Sequence, residues 1–326
     1  MVEDGEIERR LERLDPRQRE EFLRLLRERR RSGTVPSVRR PEPGRSATRT
    51  VVPMRKGSDG TPIIFVHAVN GTVLPYLRLV DVLAAGPAVH GLQAPGIERG
   101  DAVANSLREI VDVHVAAVRD LVGAGPCHLV GWSAGGVLAH ALACALRTEG
   151  IRVDGLVLLD SLPPEDSTID GSALLAYLTD SFALTLEKHP PGLDPDELRG
   201  HDEDTRLSLA LNALVASGCV QEGEREGALR RLRIGLALMT AGAGGSPPTY
   251  DGDLHLITAA DGVPGAEARA LWGAHVRGRV SHRTVPGDHY GMMRPPESDR
   301  LAEVLDRLLS GTGPRFQAEQ DRGVHQ

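Results

Sequence analysis

The chain has 326 residues, of which 40% are hydrophobic and only 3% aromatic, so it can form a large core of mainly aliphatic side chains. Its net charge is −7 and no block is strongly basic, which argues against nucleic acid as a main partner. The N-terminus lacks an apolar signal segment, no run approaches membrane-spanning length, and three scattered cysteines lack metal-ligand spacing. We therefore expect a cytoplasmic protein with no metal site and no membrane partner.

Residues 1–31 predict two short charged helices, the second capped by Asp15 and opened by Pro16. Neither can form a core alone, so the segment either folds back onto its own domain or docks another polypeptide. Each helix has one apolar face, formed by Ile7, Leu11 and Leu14 in the first and by Phe22, Leu25 and Leu26 in the second. Residues 32–59 are rich in Pro, Arg, Ser and Gly and predict a linker, with room for a strand at 50–54.

From residue 60 onward, strand and helix patterns alternate. Ser106 and Glu109 have the spacing of a capping box and predict the start of one of these helices. The alternation predicts a mostly parallel sheet with helices on both faces. Buried strands are predicted at 63–66, 88–92, 128–130 and 156–159, and helices at 74–84, after Ser106 and at 137–146.

The alternation stops between about 163 and 250, where the pattern is mostly helical. Because this stretch interrupts the sheet, it is interpreted as a helical lid. The main domain is expected at 60–311, followed by a disordered tail at 312–326. After the lid, strands are predicted at 254–258 and 280–285 and helices at 267–272 and 296–309.

A Gly-x-Ser-x-Gly sequence, from Gly131 to Gly135, joins the strand at 128–130 to the helix at 137–146. On such a turn the serine hydroxyl clears the sheet edge, and the helix N-terminus favours negative charge. Glycine is needed on both sides because a β-carbon would clash with the neighbouring strand or helix. This context predicts an α/β-hydrolase fold with Ser133 as the nucleophile.

In that fold the acid and the base follow the serine in chain order, at the carboxyl ends of later strands. His289 follows the strand at 280–285 in a turn-rich sequence and is the predicted base. His275 lies beside a helix and His282 lies inside a strand, so both fit the role less well. His114 and His140 are expected to be packed or solvated helix positions.

Two aspartates end neighbouring strands, and either can reach His289 in this fold. Asp160 ends a strand that has no other charged residue and is followed by a tight turn. Asp261 precedes a glycine in a turn, where aspartate is commonplace. Asp160 is therefore the preferred acid and Asp261 the alternative. Asp288 is adjacent to His289 in the sequence and is expected to point away from it.

Attack on a carbonyl also requires two backbone amides that bind the developing oxyanion. The serine turn supplies the amide of Ala134. The loop at 67–71 supplies the other, for which Val69 is the first choice and Ala68 the alternative. His67, in the same loop, is expected to be structural rather than a second base.

Three sequence motifs resemble, in order, those of the thioesterase domains that end non-ribosomal peptide synthetase and polyketide synthase assembly lines. They are Gly131-Trp-Ser-Ala-Gly-Gly136, Leu158-Leu-Asp-Ser-Leu-Pro-Pro164 and, after the lid, Pro286-Gly-Asp-His-Tyr-Gly-Met292. The resemblance covers about residues 60–310. In that family the aspartate after the strand that follows the nucleophile helix completes the triad. Separately encoded proofreading thioesterases usually take theirs from the next strand, so the resemblance favours Asp160 and the product-releasing kind.

The resemblance implies an enzyme of secondary-metabolite biosynthesis with a Ser133, His289 and Asp160 triad. Such an enzyme releases an acyl, peptidyl or polyketide chain from the phosphopantetheine arm of an acyl or peptidyl carrier protein, by hydrolysis or cyclisation. The arm belongs to the carrier, so no cofactor is expected in the enzyme. The sequence from Leu14 to Leu26 also resembles helical lead-in sequences of synthetase modules, which makes an upstream module an expected partner. The alternatives are a proofreading thioesterase and a free-standing esterase of the same fold.

Overall fold

The computed structural model describes residues 50–57, 59–98, 101–104, 106–164, 170–242 and 247–309. The predicted N-terminal helices (1–31), the linker up to residue 49 and the predicted tail (312–326) lie outside these residues. The predictions made for those three segments therefore stay predictions.

The described residues contain a seven-stranded sheet with the order β1-β3-β2-β4-β5-β6-β7. β1 is antiparallel to β3, and all the other neighbouring strands are parallel. The predicted mostly parallel sheet is thus confirmed. The strands are β1 (Val51–Arg55), β2 (Ile63–Val66), β3 (Val89–Leu92), β4 (Cys127–Trp132), β5 (Val153–Leu159), β6 (Leu254–Ala259) and β7 (Val280–Val285).

The helices occur on both faces of the sheet and in the predicted lid. Within the described ranges, each helix is too short or too polar to cross a bilayer. The helices are α1 (Leu77–Val82), α2 (Leu107–Val122), α3 (Ala134–Thr148), α4 (Gly171–Thr185), α5 (Pro195–Leu198), α6 (Glu203–Ala216), α7 (Arg225–Gly242), α8 (Gly265–Gly273) and α9 (Glu297–Leu309). Single 3-10 turns are formed by Leu74–Tyr76, Glu222–Glu224 and Gly291–Met293.

The inner strands are apolar because helices cover them on both faces. Every residue of β2 and β4 is buried. One face packs against α2, α3 and α8, with Leu138, Leu142 and Trp272 in its core. The other face packs against α1 and α9, with Leu79 and Leu301 in its core. These two apolar layers are the arrangement that the alternating sequence pattern predicts.

Helices α4 to α7 separate β5 from β6, at the place predicted for the lid. They share an apolar cluster of their own, with Phe182 of α4, Leu211 of α6 and Leu232 of α7. Aspartate side chains cap the first turns of α4, α5 and α6 by accepting from backbone N–H groups. The capping residues are Asp170, Asp194 and Asp202.

β1 lies inside the stretch predicted as a linker (32–59) and confirms the strand considered there at 50–54, so the sheet begins before residue 60. Val51 pairs with Leu92 and Arg55 with Val89. The Arg55 guanidinium also donates to the carbonyl of Leu83 at 2.9 Å. A half-exposed edge strand lacks the continuous apolar run that identified the inner strands, which is why its composition suggested a linker.

Trp272 links α8 to the chain segment that follows β5. Its side chain is fully buried, and its indole N–H donates to the carbonyl of Ser161 at 2.8 Å. His140 of α3 packs against the indole, with ring centroids 4.9 Å apart. The tryptophan therefore fills the core and also fixes the backbone directly after Asp160.

We expect Trp272→Ala to lower the free energy of unfolding by about 3–5 kcal/mol, because it leaves a large cavity and removes the donor to Ser161. Leu271, its neighbour on α8, is 41% exposed and provides a matched control. Leu271→Ala should change the free energy of unfolding by about 0.5 kcal/mol or less. Urea denaturation measures both, and similar losses would contradict the packing role given to Trp272.

Candidate active site

Ser133 lies on a strained turn between β4 and α3. Its φ and ψ are 57° and −131°, a backbone conformation that residues with a side chain rarely adopt. Its N–H donates to the carbonyl of Leu159 at 2.9 Å, and its carbonyl accepts from Gly136 at 2.9 Å. Such strain costs roughly 1–3 kcal/mol and persists only where the surrounding structure enforces it.

The glycines of this turn allow backbone segments to pack directly together. A β-carbon on Gly131 would overlap the backbone of Gly135, and one on Gly135 would lie 2.7 Å from the carbonyl oxygen of His67. α3 therefore starts in contact with the ends of β4 and β2. The N–H groups in the first turn of a helix lack partners within the helix, and Ala134 is the first residue of α3.

Asp160 and His289 form the central polar contact of the site. Nδ1 of His289 lies 2.7 Å from Oδ2 of Asp160. The backbone N–H of Ala259 donates to the other carboxylate oxygen at 3.0 Å, and the N–H of Asp160 donates to the carbonyl of Ile257 at 2.7 Å. A carboxylate can only accept, so Nδ1 carries the hydrogen of this contact, and in the neutral ring Nε2 then has the lone pair.

Trp132 and Tyr76 hold the histidine beside the serine turn. The rings of Trp132 and His289 stack with centroids 4.9 Å apart, and the indole N–H donates to the carbonyl of His289 at 3.1 Å. The backbone N–H of Trp132 donates to the hydroxyl of Tyr76, which donates to the carbonyl of Val66 at 2.7 Å. Desolvation raises the pKa of Tyr76, so its hydroxyl remains protonated. These bonds connect β2, β4 and the histidine loop.

Neither of the other two aspartates near His289 contacts it within the described chain. Asp261 is exposed, and its backbone N–H donates to the carbonyl of Gly287 at 3.1 Å. Asp288 accepts from the amides of Tyr290 and Gly291 at 3.0 and 2.6 Å and so caps the turn after the histidine. The structure thus brings Asp160, and not Asp261, to His289.

The remaining histidines of the sequence analysis lie elsewhere. His67 and His114 are fully buried, with their rings edge to face at 5.5 Å. Desolvation lowers the pKa of His67 to about 4 and that of His114 well below its usual value, so both are neutral. The other three form structural contacts: His140 with Trp272, His275 with His140 through its carbonyl, and His282 with Thr258 at 2.9 Å.

The loop at 67–71 lies against the start of α3. The carbonyl of Ala68 accepts from the N–H of Gly71 at 2.9 Å, which closes the loop as a tight turn. Val69 is 5% exposed, and its side chain belongs to the apolar cluster of the lid. The loop that carries both oxyanion candidates is therefore held between the serine turn and the lid.

Tyr177, on lid helix α4, is a site residue that the sequence analysis missed. Desolvation raises its pKa, and its interaction with the Ser133 side chain opposes this shift. Within the described ranges the Ser133 side chain forms no hydrogen bond with His289, whose ring bonds to Asp160. A single tyrosine on a largely apolar helix gives no sequence signal that would have revealed the contact.

Comparisons of this chain with a family model and with known proteins find the same kind of domain. The family model of the thioesterase domain matches residues 61–309. The vanchrobactin synthetase VabF of Vibrio anguillarum is 28% identical over 261 residues, which are 79% of this chain. This chain spans only 8% of the length of that synthetase.

Two solved thioesterase domains share the fold. The Vlm2 domain, solved with a dodecadepsipeptide, is 26% identical with a TM-score of 0.62 over 80% of this chain and 98% of that domain. The NocB domain, solved as a covalent complex with a fluorophosphonate nocardicin G analogue, is 24% identical with a TM-score of 0.55. The match covers 78% of this chain and 96% of the NocB domain, and at this identity the likeness concerns the fold alone.

We expect Gly131→Ala to lower the free energy of unfolding by about 1–3 kcal/mol, because the added β-carbon forces the serine turn apart. Labelling of Ser133 by a fluorophosphonate, followed by intact mass, should fall in parallel. The control is Gly227→Ala on α7, where a β-carbon meets open space. That change should stabilise by about 0.4–1 kcal/mol and leave labelling intact. Undiminished labelling of Gly131→Ala would contradict the steric argument.

Proposed function

Since the chain belongs to the thioesterase domain family, we propose that it releases acyl, peptidyl or polyketide chains from carrier-protein thioesters through an acyl-serine intermediate. Ser133 is the proposed nucleophile, His289 the base and Asp160 the acid of a catalytic triad. The observation that supports these roles best is the 2.7 Å contact between Nδ1 of His289 and Oδ2 of Asp160, beside the strained serine turn.

In the first step Ser133 Oγ attacks the thioester carbonyl carbon while Nε2 of His289 takes the hydroxyl proton. The carbon–sulfur bond breaks, and the thiol of the arm leaves with the proton from His289. Asp160 keeps the imidazole in the required tautomer and stabilises its charged form. A catalytic hydrogen bond between serine and histidine often forms fully only with substrate present, which fits a resting Ser133 that is not bonded to His289.

The negative charge on the carbonyl oxygen needs two amide donors. We assign the amide of Ala134, at the start of α3, and the amide of Val69, with Ala68 as the alternative. In the second step water, or a hydroxyl or amine of the chain itself, attacks the acyl-serine with His289 again as base. Water gives a linear acid and an internal nucleophile gives a ring. The phosphopantetheine arm belongs to the carrier, so none of these steps uses a cofactor of the enzyme.

The proposal favours product release over proofreading. The contact of His289 with Asp160, together with the exposed position of Asp261, fits the acid position that the sequence resemblance links to product-releasing domains. The relatives fit as well, since VabF is a synthetase and the Vlm2 domain was solved with a depsipeptide. The ranking of Asp160 and Asp261 below bears on proofreading, and the carrier experiment tests ester hydrolysis without a carrier.

We expect Asp160→Asn to lower the rate of thioester cleavage by about 10³ to 10⁴, because the amide favours the wrong imidazole tautomer. Asp261→Asn is the matched control and should lose about tenfold or less, since its side chain makes no contact with His289. Ser133→Ala should lose about 10⁴ to 10⁶. Steady-state rates of the three variants, each checked for folding by circular dichroism, test the triad. The opposite ranking of the two aspartates would move the acid to Asp261.

A carrier-protein partner predicts a preference for carrier-bound chains. With one acyl chain attached either to a carrier protein or to N-acetylcysteamine, we expect kcat/KM to be at least about tenfold higher for the carrier form. The carrier without its arm should inhibit competitively, because it occupies the docking surface alone. Equal kcat/KM values and no inhibition would instead indicate a free-standing esterase.

Residues 1–31 are proposed to dock an assembly-line protein. Their removal should then raise the KM for the carrier-bound chain by about tenfold to a hundredfold and leave cleavage of the small thioester nearly unchanged. If the segment instead packs on its own domain, both substrates should suffer alike and the melting temperature should fall.

A further inference from the structure

A cavity of about 180 Å³ lies next to the candidate active site. Trp132 and Tyr290, the neighbours of Ser133 and His289 in the sequence, contribute to its wall. The ring of Trp132 also stacks on His289, so one side chain borders both the cavity and the proposed base. A group that occupies this cavity is therefore close to a chain that reacts at Ser133.

The wall of this cavity is positively charged. Arg78 of α1, Arg231 of α7 and Arg294, directly after the last 3-10 turn, all line it, whereas Glu187 is the one acidic residue among its described lining. Three positive charges against one negative charge leave an excess of two. The whole chain carries −7, so this accumulation runs against its average charge. We call the site the arginine cavity.

The three arginines are held to different degrees. Arg294 donates to the carbonyl of Leu184, at the end of α4, at 2.6 Å, and its Nε lies 3.8 Å from Glu187. The guanidinium of Arg231 lies over the ring of Phe182, 5.6 Å from its centroid. Arg78 is exposed and forms no ion pair or hydrogen bond with any other residue that the structure describes. Two guanidinium groups are thus prepositioned, and the third has no hydrogen-bond or ion-pair partner in the described part of the chain.

The rest of the wall combines polar side chains, such as Asn70 and Thr72, with apolar ones. Leu74 and Leu186 line the cavity although they are 54% and 38% exposed, and Phe182 and Met293 contribute further apolar surface. Large apolar side chains left open beside arginines suit a ligand with a hydrocarbon part and an anionic part.

We propose that the arginine cavity binds an anionic group of the substrate, a carboxylate or a phosphate. The inference rests on the proposed function, because it concerns the substrate of the same serine. The planar guanidinium group matches both anions through paired N–H donors. Two parts of the substrate can supply the anion: a carboxylate on the acyl chain, or the phosphate of the pantetheine arm.

Two pairs of thioesters distinguish these sources. In the first pair the acyl chain ends in a carboxylate or in the isosteric amide, both as N-acetylcysteamine thioesters. In the second pair one neutral acyl chain is attached to phosphopantetheine or to pantetheine. We expect the anionic member of one pair to have a kcat/KM about fivefold to thirtyfold higher at low ionic strength. The preference should shrink in about 0.5 M salt, because the cavity is open to solvent.

Arg78→Gln and Arg78→Glu should reduce this preference, and the charge reversal should reduce it more. Arg78 has no described partner to lose, so both variants are expected to fold. The control is Arg108→Gln on α2, an exposed arginine outside the cavity that pairs with Asp112 at 3.8 Å. It should leave the preference unchanged.

The outcomes separate this inference from the proposed function. If the wild-type protein prefers the carboxylate thioester of the first pair and Arg78→Glu loses this preference, the anion belongs to the acyl chain. If the same happens with the phosphopantetheine thioester of the second pair, the anion belongs to the arm. Equal cleavage of both members of both pairs by the wild-type protein overturns the inference and leaves the thioesterase proposal standing. A preference that Arg78→Glu does not change also overturns it. If the wild-type protein cleaves no thioester, the proposed function itself fails.

Discussion

The direct packing of α3 against the ends of β4 and β2 is the constraint on which the site depends. Gly131 and Gly135 allow backbone to touch backbone, and no β-carbon fits at either position. Ser133, between them, is forced to a φ of 57° and is held there by hydrogen bonds to Leu159 and Gly136. The cost of this strained conformation is offset by the packing of two buried elements. This conformation places the serine beyond the end of the strand and at the N-terminus of a helix.

A parallel sheet explains how distant residues meet at this serine, because the carboxyl ends of its strands share one edge. Asp160 follows β5 and is bonded to the backbone of β6, while His289 follows β7 and is stacked on Trp132 at the end of β4. Tyr76 adds the end of β2 through its bonds to Val66 and Trp132. The side chains are therefore placed by hydrogen bonds between strand ends rather than by the loops alone.

The elements that have a characteristic pattern in their own stretch of sequence could be predicted. The apolar runs identified the inner strands, and the spacing of glycines identified the serine turn. The choice between Asp160 and Asp261 had only a weak local signal, since both end neighbouring strands and differ in contacts that form on folding. Tyr177 and the three arginines of the cavity had none, because each lies on a different element and only tertiary packing brings them together. β1 was anticipated only as a short strand inside the linker, since an edge strand needs no continuous apolar run.

Polar contacts, as well as apolar packing, join the lid to the edge of the sheet that carries Ser133. Helix α4 contributes Tyr177, which interacts with the Ser133 side chain, and its last turn supplies the carbonyl that accepts from Arg294 at 2.6 Å. Val69, beside the serine turn, packs into the apolar cluster of the lid. The same helix therefore contacts the proposed nucleophile, the loop that follows His289 and one wall of the arginine cavity. A shift of α4 would alter all three together, so the shape of the substrate site and the environment of the serine are set by one structural element.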